Sequence, residues 1–411
     1  MHRPTISHAD GVYLYDQNSK EYLDGSSGVL NTNLGHRNPD IIARIIDQLD
    51  RVCFVHRSQF ISGALDQLTQ TLVSIAPVGL DHIEYSNSGS EANECALRVT
   101  LAYHHRNGEH RRRHVLTEKP SYHGMTAGAL SLSGHPQRRT AAFAPLLDNH
   151  VATPRVTPRA GQLRAGLGEW IRAIRARGPQ NIAAVLIEPL GGASSGAAPM
   201  SLETVRGLRS LADEHGFLLI ADEVMSGLGR TGSWWAIDTA GVTPDLLTTS
   251  KGLTGGYTSL AATLINRTVA QAFEGDIGSV IHGHTMSGNP LAAATSLAVL
   301  DYTIAHDLPR RAGELGVRLR AQLDVLRTRH PCITDVRGRG LMLGLGLTYA
   351  PHRPSTSARQ LTIAARNAGL ILCPAGINTT TESVLIAPPL TSTEDDIDEL
   401  TRRLDAALTA C

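Results

Sequence analysis

Thr248-Thr249-Ser250-Lys251-Gly252-Leu253-Thr254-Gly255-Gly256 sets a single lysine between the end of a short, β-prone run and a glycine-rich loop. Lysines are mostly solvated surface residues, so this one carries weight only in company. The company is Asp222 and Glu223, which close a second apolar run, Leu218-Leu219-Ile220-Ala221. Short apolar runs bounded by turn residues have the pattern of strands buried on both faces. An amine and a carboxylate at the ends of two such strands lie where open α/β sheets bind ligands.

Outward from this pair the chain alternates. Strands are expected at 83–85, 114–117, 182–187, 217–221, 246–249 and 261–265, with helices at 91–104, 170–177 and 202–214. Strands alternating with helices imply a mostly parallel sheet covered on both faces. Upstream, residues 10–24 alternate apolar and polar around Asn18-Ser19, a hairpin signal. Gly25 to His36 reads as an ordered loop near a site, and Pro39 to Val52 and Leu65 to Ile75 have helical spacing. Residues 135–168 are polar, rich in Pro and Arg and poorly periodic, which implies an excursion over the surface. Pro290 opens a long helix leading into a C-terminal α+β region with strands near 333–347 and 384–387.

The 411 residues suffice for one large domain and a smaller one. Net charge is zero, which removes the electrostatic case for nucleic acid or an anionic membrane as the main partner. The one basic run, Arg111-Arg112-Arg113, reads as a solvated loop before a strand. Cys53, Cys95, Cys332, Cys373 and Cys411 show no metal spacing and read as scattered reduced thiols. No apolar leader opens the chain, so the cytoplasm is the expected compartment.

A Schiff-base amine and a buried carboxylate facing a pyridinium nitrogen are what pyridoxal phosphate (PLP) asks of a protein, which gives Lys251 and Asp222 a joint reading. The alternative for Asp222 is an acid capping the next turn. Ser86-Asn87-Ser88-Gly89-Ser90-Glu91-Ala92-Asn93 puts small residues at a helix start after a strand, where N–H groups and the dipole bind phosphate; a plain Ser N-cap is the alternative. Tyr122 could stack on a cofactor ring or simply sit in a turn. Gly227-Leu228-Gly229-Arg230-Thr231-Gly232 matches GxGxxG formally, but it lies beyond the strand end and opens no clear helix, so the dinucleotide reading is rejected. His282-Gly283-His284 lacks a third ligand for a metal, whereas Thr285 could give its hydroxyl to a phosphate.

Together these residues resemble the class III (ω-amino-acid type) aminotransferases among the fold type I PLP enzymes. The resemblance runs from Leu34-Gly35-His36 through Asn87 to Asn93, Tyr122-His123-Gly124, Glu188-Pro189, Asp222-Glu223-Val224, Ser250-Lys251-Gly252 and His284-Thr285 to Val336-Arg337-Gly338-Arg339-Gly340. Within that family the chain looks most like the loosely named "aspartate aminotransferase family protein" branch.

The resemblance implies a large PLP domain (46–290) with a mixed, mostly parallel seven-stranded-type sheet, and a small α+β domain (291–411) joined by segment 1–45. It also implies a homodimer with shared sites. Lys251 is then the Schiff-base lysine and Asp222 the partner of the ring nitrogen, with Val224 on one ring face and Tyr122, beside His123, on the other. Ser88, Gly89 and Ser90 form a phosphate cup, Thr285 reaches the other subunit's phosphate, and Glu188 lies near the ring. The implied reaction moves an amino group between a donor and a keto or aldehyde acceptor through pyridoxamine phosphate.

The substrate end departs from the pattern. Met225 follows Val224, Ala193 stands where some γ-amino-acid members keep a second glutamate, and 373–380 lacks the arginine other members use for an α-carboxylate. Arg57 is the nearest candidate clamp, or else a structural arginine within its loop, and Leu30 is expected at the entrance. These departures leave open a specialised PLP enzyme that decarboxylates, eliminates or forms carbon–carbon bonds, because residues 222 and 251 serve all such reactions.

Overall fold

The structure, a computed structural model, describes residues 3–147, 155–157, 162–273, 283–348, 357–377 and 382–411. A seven-stranded sheet lies at its centre, in the order Leu80–Ser86, Ala261–Asn266, Leu246–Thr249, Leu218–Asp222, Ile182–Ile187, His114–Glu118 and Arg155–Val156. Ala261–Asn266 runs antiparallel to both its neighbours, and the other pairings are parallel. The remaining strands therefore all end at one edge of the sheet, and the register sets Asp222 opposite Thr248. The mostly parallel α/β architecture is as the alternation implied.

Burial on both faces explains the apolar runs. Every residue of Ile182–Ile187 and of Leu218–Asp222 is buried. Alternate residues enter opposite cores: Ala184 and Leu186 join Cys95 and Val99 of helix Gly89–Arg106, while Val185 and Ile187 join Trp170 and Leu208 of the helices across the sheet. Each fully buried aliphatic side chain stabilises by roughly 1.5–3 kcal/mol, so a polar substitution in these strands breaks the sheet that carries the site.

A further core packs Val12, Leu23 and Ile41 from the start of the chain with Leu319, Leu343 and Leu404 from its end. The strand pair Tyr13–Asp16 and Glu21–Asp24 realises the expected hairpin and is extended in parallel by Leu370–Ile371. Ile333–Arg339, Met342–Leu347 and Ser383–Ile386 are the expected C-terminal strands, joined by Cys373–Ala375.

Two local readings change, and the third stretch keeps its reading. The 135–168 excursion returns to the sheet, where Arg155–Val156 adds the edge strand; 148–154 and 158–161 lie outside the described residues. Arg112 is not solvated: its guanidinium donates to the carbonyls of Pro179, Ile182 and His215 at 2.7–3.1 Å. The Gly227–Gly232 stretch forms turns and delivers Arg230, 1% exposed, to Pro388 O and Asn33 Oδ1, both at 2.5 Å. Asn33 in turn presses on the lysine loop. A Cβ at Gly252 would lie 2.2 Å from Asn33 Nδ2, so the residue after Lys251 must be glycine.

Candidate active site

A cavity of about 140 Å³ opens at the edge where the parallel strands end, lined among others by Lys251, Asp222, Glu188, Tyr122, Val224 and Gly89. Five separate strand ends converge there, so the sheet gathers residues the sequence keeps far apart.

Lys251 begins a short 3-10 turn directly after strand Leu246–Thr249 and Ser250. Its φ of 43° is left-handed, a conformation that costs a non-glycine residue about 1 kcal/mol or more and persists only where the surroundings hold it. Burial pushes the ammonium below its ordinary range and outweighs the opposing charges of Asp222 and Glu188. The amine is therefore biased toward its neutral, nucleophilic form.

Asp222 closes strand Leu218–Asp222 and is 6% exposed. Asn93 Nδ2 donates to Oδ2 at 2.8 Å, His123 Nδ1 meets the same oxygen at 2.8 Å, and Val224 N–H donates to Oδ1 at 3.1 Å. Burial pushes the carboxyl up, but the bond and charge of His123 and the two N–H donors together hold it below the usual range. An ionised carboxylate only accepts, so His123 Nδ1 carries the proton. Asp222 has about four acceptor positions and three are filled, which leaves one on Oδ1.

Glu188 follows strand Ile182–Ile187 and accepts from the N–H groups of Gly192 at 2.9 Å and Tyr122 at 3.3 Å. Burial raises its pKa. At the other end, helix Gly89–Arg106 starts against the cavity. Ser88 Oγ caps it by accepting from Glu91 N–H at 3.3 Å, so the Ser88 hydroxyl serves the helix, while Gly89 and Ser90 line the cavity. First-turn N–H groups have no intrahelical acceptor and, with the dipole, favour an anion. A Cβ at Gly89 would sit 2.8 Å from Val224 Cγ1, so only glycine lets the helix start approach this closely.

The comparisons with known proteins agree with this geometry. The family model described as "Aminotransferase class-III" matches residues 1–408. The chain is 34% identical to the uncharacterized aminotransferase YodT of Bacillus subtilis, over 97% of this chain and 93% of the relative. It is 35% identical to acetylornithine aminotransferase 1 of Bordetella bronchiseptica over the same shares, 97% and 93%. An amine transaminase from an uncultivated Pseudomonas species, solved with PLP bound, superposes with a TM-score of 0.89 at 31% identity, covering 100% of this chain and 95% of that one.

This chain belongs to the class III aminotransferases. Class III aminotransferases are fold type I PLP enzymes, so this chain is a PLP-dependent enzyme transferring amino groups between an amino donor and a carbonyl acceptor. Its residues fit the cofactor: a buried amine suits the aldehyde, the free acceptor position on ionised Asp222 suits a protonated ring nitrogen, and the Gly89 helix start suits a phosphate.

Not every expected site residue reaches this cavity within one chain of this aminotransferase. Thr285 lies on an exposed stretch. Arg57 is exposed too and donates to Ser287 O at 3.3 Å, a bond to a neighbouring segment rather than to the cavity. Leu30 does not stand open at an entrance. It is 1% exposed and packs with Leu190, Met225 and Cys373, because its φ of 63° turns the loop inward. His284 Nε2 faces Glu91 Oε2 at 3.7 Å, and His282 lies outside the described residues.

Two contributors were missed. Asn93 bridges Asp222 to His123 O and Thr248 Oγ1 at 2.8–2.9 Å; the signal was its position four residues after Gly89, on the same helix face. Cys373 lies close enough to Lys251 to feel its charge, although burial still raises the thiol pKa. Nothing in its spacing marked it.

Proposed function

We propose that this aminotransferase works with Lys251 as the Schiff-base and proton-transfer residue, and that the observation carrying the assignment is the shared cavity of Lys251, Asp222 and Glu188. PLP when bound supplies an aldehyde for the amine and a ring that accepts the electrons of the cleaved C–H bond. The chain does the rest. Lys251, biased toward neutrality by burial, takes a proton at Nζ from the donor's α-carbon and returns it to the cofactor side. Asp222, kept ionised by His123, Asn93 and Val224, holds the ring nitrogen protonated. The Gly89 and Ser90 N–H groups bind the phosphate beside the Ser88 cap, and Val224 and Tyr122 pack against the ring. Glu188, bound to the Tyr122 and Gly192 N–H groups, fixes the wall beside Met225.

The reading includes a homodimer. Thr285 and Arg57 lie exposed with the apolar Phe60, Ile61 and Met286, a surface that suits a second copy and would bring Thr285 to the partner's phosphate. It also includes a large domain at 46–290, a small domain of 291–411 with segment 1–45, and a cytoplasmic location. Supporting these are the core shared by both chain ends and the fact that, among the described residues, no helix is long and apolar enough to cross a membrane.

The test is a half-reaction. Holoprotein is mixed with a panel of amino acids and amines, and the visible cofactor band is followed. Conversion to the aminated cofactor by at least one donor is expected, and failure with every donor overturns transamination in favour of another PLP chemistry.

A further inference from the structure

Beyond the Lys251 cavity opens a larger cleft of about 850 Å³. Their walls adjoin along the chain. Gly124 lines one and Met125 the other, and Cys373, which feels Lys251, is followed by Pro374 in the cleft wall. Gly376 N–H donates to Ala193 O at 2.7 Å and ties the C-terminal wall to the loop after Glu188.

The charged residues lining this cleft are Arg138, Arg359 and Glu382, with His135 beside them. Glu382 is engaged, since its Oε1 accepts the N–H of Ala358 at a helix start at 2.9 Å. Arg138 is placed differently. Its guanidinium lies 5.3 Å from the centre of the Tyr122 ring, which itself lines the Lys251 cavity. His135 meets the same ring edge-on at 6.2 Å. The turn bearing Arg138 is firmly held: Arg138 N–H donates to His135 O at 3.1 Å, and Arg139 donates to the carbonyls of Leu130 and Ser131 at 2.8 Å. Anchored through Arg139, the turn presents Arg138 to the cleft. Among the described residues, the Arg138 side chain pairs with no carboxylate.

We propose that Arg138 is a specificity-determining residue that binds a carboxylate remote from the reacting carbon of the donor or acceptor. The proposal rests on the aminotransferase reading of the Lys251 cavity. A guanidinium is permanently charged, matches a carboxylate with two parallel N–H donors, and keeps its stem on an aromatic face while doing so. A substrate with its reacting carbon at Lys251 has to pass Tyr122 to enter the cleft, and Arg138 is the cation it meets there. Arg359 lines the cleft as well but has no such contact with the cavity wall.

The experiment compares holoenzyme of the wild type, Arg138→Gln and Arg359→Ala. One readout is calorimetric binding of unbranched monocarboxylates from butanoate to octanoate. The other is the half-reaction rate of unbranched ω-amino acids against n-alkylamines of matched length. The wild type should favour the ω-amino acid at least tenfold at one chain length. Arg138→Gln should remove that preference and weaken carboxylate binding at least tenfold, with alkylamine rates and the cofactor spectrum unchanged. Arg359→Ala should keep the preference. A wild type without preference, an Arg138→Gln that slows both donor classes alike, or loss of the preference in Arg359→Ala instead would each overturn the proposal. If no donor reacts at all, transamination fails, and the carboxylate titration still decides the role of Arg138.

Discussion

The two ends of the proposed substrate path are built in opposite ways. At the inner end, Asp222, Asn93 and His123 are buried and bonded to one another at 2.8 Å, and each comes from or beside an element of the central sheet layer. At the outer end, Arg138, Gln137 and Arg359 sit exposed on turns and a helix edge around an open cleft. Rigid strand ends hold groups to the tolerance that proton transfer needs, whereas loops vary at little cost to the core. On the proposed reading, the inner end sets the cofactor and the kind of chemistry, and the outer end sets which molecule undergoes it.

Substitutions at the two ends should separate accordingly. The largest effect belongs to Lys251→Ala: loss of the proton-transfer amine should slow single-turnover amination of the cofactor by about 10⁴-fold. Asp222→Asn, which removes charge but keeps shape, should cost about 10²–10³-fold in kcat, because a neutral amide no longer holds the ring nitrogen protonated. If Asp222→Asn instead changed only KM, the inner end would be a binding surface and the contrast would break.

Glu223 sharpens the contrast in another way. It adjoins Asp222 and is as deeply buried, yet burial pushes its carboxyl up to about 7, with only Ser226 Oγ and the Ile237 and Ala236 N–H groups to oppose it. Asp222 has hydrogen-bond donors in His123, Asn93 and the Val224 N–H and shifts the other way. A carboxyl whose folded pKa is raised contributes stability that is complete below its unfolded pKa, near 4.5, and is lost as pH rises through about 7. The difference amounts to about 3 kcal/mol. Glu223→Gln should therefore match the wild type near pH 4.5 and be more stable at pH 8 in thermal unfolding scans of the apoprotein. Equal melting temperatures of the two proteins at both pH values would show that burial does not raise the Glu223 carboxyl.

The smallest effect falls at the outer end. Arg138→Gln should change donor preference by about tenfold and leave kcat for neutral amines alone, as a single charge-assisted pair predicts. A drop in kcat for every donor would mean that Arg138 acts on Tyr122 and the cofactor, not on the substrate.

How far the sequence could be read follows the same division. Lys251 and Asp222 were legible because each ends an apolar run, and runs of that length report a strand directly; the Gly89 helix start was legible from the small residues that follow a strand. The edge strand Arg155–Val156 was not, since two residues carry no period. The helix Ala127–Leu132 was not either, because it is buried from Gly128 to Leu132 and shows no polar face. Leu30 was placed at an entrance because nothing local announces a left-handed φ at a leucine. Arg57 drew attention through its charge, while the arginine facing the cleft lay in a stretch read as featureless surface. Those contacts join segments far apart in the chain, so only the packed fold displays them.

The most direct test of the account is borohydride reduction of the PLP-loaded protein followed by proteolysis and peptide mass spectrometry. The chain has three lysines, Lys20, Lys119 and Lys251, and the first two are exposed. The account predicts one pyridoxyl label per chain, on Lys251, with the label and the visible band both lost in Lys251→Ala. A label on Lys20 or Lys119 alone, or a protein that takes up no PLP, would contradict it.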